Sequence, residues 1–194
     1  MLWGNPTPDH MARVVATSSD RVAWLKARMR GVTATDVARL SSERAVPTVA
    51  HEKIFGSSFT GNVYTDHGVA REPEIARWVR SVYGIIPSID LFHAENNQRH
   101  LATPDGIRVI DNRIELAEIK TTSRAWRSIP RSYLRQVWWQ QYVLGAERTL
   151  VVWEQHDDFV PIESEPRVKW VDRDDNEIHR LVGLADALLE MMRR

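Results

Sequence analysis

Hydrophobic and polar positions recur in periods that divide the chain into helices at its two ends and a run of strands between them. Residues 20–30, preceded by Ser18-Ser19, read as a helix. Gly31 separates it from a second, short helix that Thr33 opens as N-cap with Asp36 three residues on, in the manner of a capping box. Ile75, Trp78, Val79 and Val82 predict a longer helix over 62–83, closed by Gly84 and restarted or kinked at Pro73. Residues 85–92, 100–103, 106–110 and 113–120 then read as strands, with Asp111-Asn112 as a hairpin turn. Residues 132–144 predict a helix ended by Gly145, with Trp138, Trp139 and Tyr142 in the core, and 149–153 a β-branched strand. Residues 174–194 predict a terminal helix whose stripe of Ile178, Leu181, Leu184, Leu188 and Met191 is either core or a subunit contact. The order of elements predicts an α/β or α+β fold with a mixed β-sheet flanked by helices.

A chain of 194 residues, 43% hydrophobic, closes one core, and no repeat or Gly/Ser linker divides it, so 1–194 is expected to form a single domain. Twenty-six Lys and Arg balance twenty-six Asp and Glu, so any anionic partner must be met by a local patch. One such patch is visible. Residues 120–136 carry Lys120, Arg124, Arg127, Arg131 and Arg135 and no acid, whereas 154–177 carry nine acids against Arg167, Lys169 and Arg173. The absence of Cys excludes disulfides, thiolate zinc sites, iron-sulfur clusters and a Cys nucleophile. No stretch approaches the ~18 apolar residues of a membrane span, and the N-terminus lacks the layout of a signal peptide. A soluble, cytoplasmic protein with no membrane partner is the expectation.

The candidate chemistry lies around 105–120. Glu118 and Lys120 are two apart on a strand and share a face, with Ile119 turned to the core. A carboxylate holding a divalent cation beside an amine that orients water suits metal-dependent hydrolysis. Alone, the pair reads as readily as a surface ion pair. Asp105, in T-P-D-G, follows a strand thirteen residues upstream, and a hairpin can set its carboxylate beside Glu118 as hard oxygen ligands for Mg²⁺ or Mn²⁺. Alone, it reads as a turn aspartate. A third acid comes from the preceding helix, where Glu74 is one turn from Trp78 at the buried edge and Glu72 reads as solvated. Together, Asp105 and the E-I-K strand form the P-D…(D/E)-x-K pattern of the restriction-endonuclease-like nuclease core. His67, His93 and His100 lack metal-ligand spacing and read as ordinary polar residues.

The motifs R-M-R-G-V-T-A-T-D-V, G-V-A-R-E-P-E, A-T-P-D-G, E-I-K and Y-L-R-Q-V-W-W-Q-Q-Y occur in order between Trp24 and Trp153. In that order they resemble the YqaJ-like viral recombinase family, to which phage lambda exonuclease belongs. The resemblance implies Asp105, Glu118 and the Ile119 carbonyl as metal ligands, with Glu74 assisting a second ion. It further implies Lys120 and Gln136 positioning the nucleophilic water, Gln140 as a weaker candidate, and Mg²⁺ as cofactor with Mn²⁺ substituting. Arg28, Thr35 and Thr103 fall at the family's 5′-phosphate contacts, with Thr35 standing where Ser is usual, and the N–H groups of the helix opened at 33–36 would favour the same anion. Arg124, Arg127, Arg131 and Arg135 would line the duplex backbone, while Trp126 either wedges at the strand fork or packs under its loop. The implied activity is 5′→3′ resection of linear double-stranded DNA from 5′-phosphorylated ends. The 3′ tails would feed phage-type recombination in a bacterial host, with a homotrimeric ring and a separate single-strand annealing protein as partners. The alternatives are an endonuclease on the same core and a catalytically silent DNA-end-binding module.

Overall fold

The computed structural model describes residues 9–56 and 63–193. A five-residue 3-10 turn leads into β1 (Val14–Thr17), then α1 (Arg21–Arg30), β2 (Val32–Thr33), α2 (Ala34–Arg39), α3 (Val46–Phe55) and α4 (Val63–Tyr83). Strands β3 (Ile86–Pro87), β4 (Asp90–Ala94), β5 (Asn97–Ala102), β6 (Gly106–Ile110) and β7 (Arg113–Thr122) follow. After α5 (Arg131–Leu144) come β8 (Arg148–Asp157), β9 (Val160–Pro161), β10 (Arg167–Asp172) and α6 (Asp175–Met191). Predicted ends 62 and 194 lie outside the described residues.

The main sheet is mixed, in the order β10-β8-β7-β6-β3, with β9 paired to the far end of β8. Strands β7 and β8 are parallel, and every other pair in it is antiparallel. Both faces of this parallel centre are covered, so β8 reads as the continuous apolar run Leu150, Val151 and Val152. On one face Ala117, Ile119, Leu150 and Val152 pack with Ile75, Ala76 and Val79 of α4. On the other, Leu116 and Val151 join the larger core formed with α2, α3, α5 and α6. A smaller four-stranded sheet, β1-β4-β5-β2, carries α5 on it.

The run 85–92, predicted as one strand, belongs to both sheets: β3 joins the main sheet, Ile85 is core, and β4 starts the small sheet after a bend at Ser88 and Ile89. Pro73 leaves α4 continuous. The acidic segment is ordered as the end of β8, β9 and β10. Along β10 Arg167 and Lys169 face outward in alternation with Val168 and Trp170, and of the acids Glu154 is buried.

The stripe on α6 resolves as core, with Ile178, Leu181, Ala185 and Leu188 buried against α3 and α5. Leu181→Ala, at a fully buried position, is expected to cost about 2–5 kcal/mol and roughly ten degrees of thermal midpoint. The loss should be independent of protein concentration. A midpoint that falls only on dilution would instead make the stripe an intersubunit contact.

Candidate active site

The hairpin β6–β7 turns on Asp111 and Asn112, both with positive φ (48° and 64°), as a two-residue type I′ connection requires. Its register runs from Ile110↔Arg113 to Gly106↔Ala117, which sets Asp105 opposite Glu118. The carboxylate continues the ladder, since Asp105 Oδ2 accepts the Ile119 N–H at 2.6 Å. Beyond this point β6 leaves β7, and the edge of β7 from Glu118 onward opens into a cleft. Gly106 serves close packing: a Cβ there would lie 2.8 Å from Ile85 Cγ2 and 3.2 Å from the Ile86 carbonyl. The glycine of T-P-D-G is therefore a strand residue under β3.

Glu118 is almost fully buried, and both its oxygens are engaged. Oε2 accepts from Gln140 Nε2 at 2.7 Å, and Oε1 pairs with the Lys120 ammonium. Desolvation pushes the Asp105 carboxyl well above the ordinary carboxylate range, and the neighbouring Glu118 and Glu72 push it further, against the opposing pull of Lys120 and the Ile119 N–H. Burial alone would lower Lys120, but Glu118 and Asp105 outweigh it and raise the amine above its usual value. The two carboxylates thus favour the ammonium form of Lys120.

The cleft has a volume of about 360 Å³. Its floor is Ile119, Lys120 and Thr121 of β7; Tyr64, Gly68, Val69 and Glu72 of α4 form one wall, Tyr133 and Gln136 of α5 the other, and Thr35 lies at one end. Gln136 and Lys120 both line the cleft, with Ile119 beside Lys120 on β7. Gln140, the weaker candidate, holds Glu118 instead.

The structure corrects the choice of the third acid. Glu74 lies on the outer side of α4, largely exposed and paired with Arg71. Glu72 lines the cleft from the face of α4 that carries Gly68, Ile75, Ala76 and Val79 at steps of three and four, with its side chain exposed, as the sequence reading has it. Its carboxyl is pushed up by desolvation and by Glu118, with Lys120 acting against them. Trp78 is half-buried, whereas Ile75 is fully buried and marks the face of α4 that lies on the sheet.

Among the described residues no three Asp, Glu or His side chains form a ready metal-ligand trio. The donors nevertheless suit a hard divalent cation: two carboxylates lie close together, the Glu118 charge disfavours ionisation of Asp105, and a bound cation would offset that repulsion. Asp105 and Glu118 would hold it.

Of the expected phosphate contacts, Thr35 is in the cleft, and Thr103, two residues before Asp105, has a buried hydroxyl with no hydrogen-bond partner. Arg28 lies over the Trp24 ring at 4.2 Å and is lowered by desolvation, with Asp36 raising it in return. At the start of α2 the capping box engages the Asp36 N–H, which donates to the Thr33 hydroxyl. The Asp36 carboxylate takes the Thr33 N–H at 2.8 Å and pairs with Lys53 at 2.6 Å, so a negative charge already sits there.

The basic stripe divides. Arg124 and Arg127 are exposed, with no ion-pair partner among the described residues. Arg131 pairs with Glu177 at 2.6 Å, and Arg135 is turned inward, donating to the Ala38 carbonyl at 3.0 and 2.6 Å, so it does not face a ligand. Trp126 is packed under its loop between Tyr133 and Trp153, at ring-centroid distances of 5.2 and 5.4 Å, and is not presented as a wedge. Trp139 is fully buried and donates to the Leu101 carbonyl at 2.9 Å.

Solved structures match this fold. The alkaline exonuclease LHK-Exo from Laribacter hongkongensis superposes with a TM-score of 0.66 at 22% identity, over 88% of this chain and 91% of that one. The same exonuclease in complex with dAMP gives 0.66 at 21% identity with the same coverage. A phage-related exonuclease from Haemophilus somnus 129PT gives 0.64 at 14% identity, over 84% and 93% of the two chains. The chain has the fold of these exonucleases. No protein-family model matches it, and no characterised protein matches it by sequence.

Proposed function

We propose that the protein is a Mg²⁺-dependent exonuclease that resects linear double-stranded DNA 5′→3′ from 5′-phosphorylated ends. The observation that carries this reading is the placement of Asp105 opposite Glu118 at the open edge of β7, with Lys120, Glu72 and Gln136 around one cleft. The likeness in fold to exonucleases over most of the chain supports it. A bound divalent cation would polarise the scissile phosphate and supply an activated water. The Lys120 ammonium and the Gln136 amide orient that water, Gln140 holds Glu118 in place, and Thr35, Thr103 and Arg28 receive the terminal phosphate. Water adds to phosphorus and the bond to the 3′-oxygen breaks, so the next nucleotide inherits the 5′-phosphate and the same pocket can be used again. The exposed Arg124 and Arg127 follow the catalytic strand and suit the duplex backbone. A recombination role, with 3′ tails passed to a single-strand annealing protein and a trimeric ring around DNA, belongs to the same reading through the family resemblance.

Polarity is tested with duplexes labelled at either end and carrying 5′-phosphate or 5′-hydroxyl. The wild type should release label first from 5′-phosphorylated ends. Arg28→Ala should abolish that preference while keeping hydrolysis at the 5′-hydroxyl end. Equal rates on both ends in the wild type, or release from the 3′ end first, would overturn the polarity.

A further inference from the structure

Glu72 differs from Asp105 and Glu118 in how it is held. Those two are fixed by the ladder of one hairpin, whereas Glu72 is carried by a helix lying on the sheet through Ile75, Ala76 and Val79. Apolar contact of this kind is non-directional and leaves the helix some freedom along its axis that hydrogen bonds would remove. Two features beside Glu72 remove that freedom. Arg71 donates from Nε to Glu154 Oε1 at 2.9 Å and from Nη2 to Oε2 at 2.6 Å, a planar fork, while its Nη1 pairs with Glu74. Glu154 is buried on β8 in register with Thr121, one residue past Lys120 on β7. One turn earlier on the helix, Gly68 makes a close approach to the same Thr121: a Cβ there would stand 3.2 Å from Thr121 Oγ1.

A buried ion pair of this kind is weak evidence of a stabilising device, since desolvation offsets much of its attraction. Its geometry specifies position. We infer that Arg71 and Glu154 are positioning residues that lock α4 in register so that Glu72 reaches the Asp105–Glu118 centre, an inference that rests on the metal-dependent reading above.

The test uses full-length Arg71→Lys, which keeps charge without the fork, Glu154→Gln, which keeps shape without charge, Gly68→Ala, which crowds Thr121 without touching a charge, and Glu72→Gln. Mn²⁺ binding is measured by calorimetry in the absence of DNA, alongside kcat and KM on DNA ends and thermal midpoints. Each of the first three variants should weaken Mn²⁺ binding about tenfold and lower kcat, with KM for DNA ends within twofold of wild type. In a Glu72→Gln background, Arg71→Lys should add less than a twofold change, because both act through one carboxylate. Unchanged Mn²⁺ binding in variants with lowered midpoints would make the bridge structural and overturn the inference, as would full multiplicity with Glu72→Gln. A wild type that binds no Mn²⁺ would overturn the functional reading and this one together, whereas intact binding and hydrolysis in all three variants removes the positioning role alone.

Discussion

Asp105→Asn will reduce hydrolysis of DNA ends by about 10³-fold or more, the equivalent of roughly 4 kcal/mol of transition-state stabilisation for a metal-holding carboxylate. The same change will make the metal-free protein more stable. Burial and the Glu118 charge raise the Asp105 carboxyl in the folded state, so the folded protein binds that proton more tightly than the unfolded chain does. Stability is therefore fully present below the unfolded value of about 4 and is lost as pH rises through the folded value. Asparagine keeps an oxygen for the Ile119 N–H and carries no charge to desolvate. Scanning calorimetry in chelator at pH 8 should place the variant a few degrees above wild type, and at pH 4 the difference should shrink. A variant less stable at pH 8, or one retaining a tenth of wild-type hydrolysis, would contradict the role given to Asp105.

Glu72→Gln should lower kcat/KM about 10²-fold at fixed Mg²⁺, whereas Glu74→Gln should stay within threefold. Glu72 stands in the cleft with Lys120 and Gln136. Glu74 meets only the Arg71 guanidinium on an exposed helix face, and exposed ion pairs contribute about 0–1 kcal/mol. The measurement is initial-rate kinetics on a 5′-phosphorylated duplex. Equal losses, or the reverse order, would return the third acid to Glu74.

What the sequence disclosed follows the range of the interactions involved. The capping box at Thr33 and Asp36, the positive-φ turn at Asp111-Asn112 and the left-handed Gly145 after α5 are local, and each formed where its residue types require it. The hairpin register then made the meeting of Asp105 and Glu118 readable by counting back from the turn. Other parts were hidden. Helix α3 buries only Val46, Val49 and Ala50 and opens with Pro47 near its start, too narrow a stripe to announce itself. The division of 85–92 between two sheets depends on Ser88 accepting its place by donating its N–H to the Asp105 carbonyl at 3.0 Å, a contact between distant segments. Arg135 reads as available and Trp126 as either wedge or packed ring because their partners, the Ala38 carbonyl and Trp153, are remote in sequence. The Arg71–Glu154 fork joins residues 83 apart, and nothing in either neighbourhood marks it. Glu72 is exposed, as the sequence reads, and its place beside the cleft follows from the spacing that puts it on the face of α4 set by the fully buried Ile75.

The central claim is that the Asp105–Glu118 pair, with Lys120 in the adjoining cleft, hydrolyses DNA from its ends with a divalent metal. It is tested most directly by incubating the protein with a linear duplex and a covalently closed circle of the same sequence, with Mg²⁺ or with chelator. Mononucleotides released from the linear duplex in Mg²⁺ alone, with the circle intact, are the expected result. Hydrolysis that persists in chelator, cutting of the circle, or no hydrolysis with either Mg²⁺ or Mn²⁺ would contradict it.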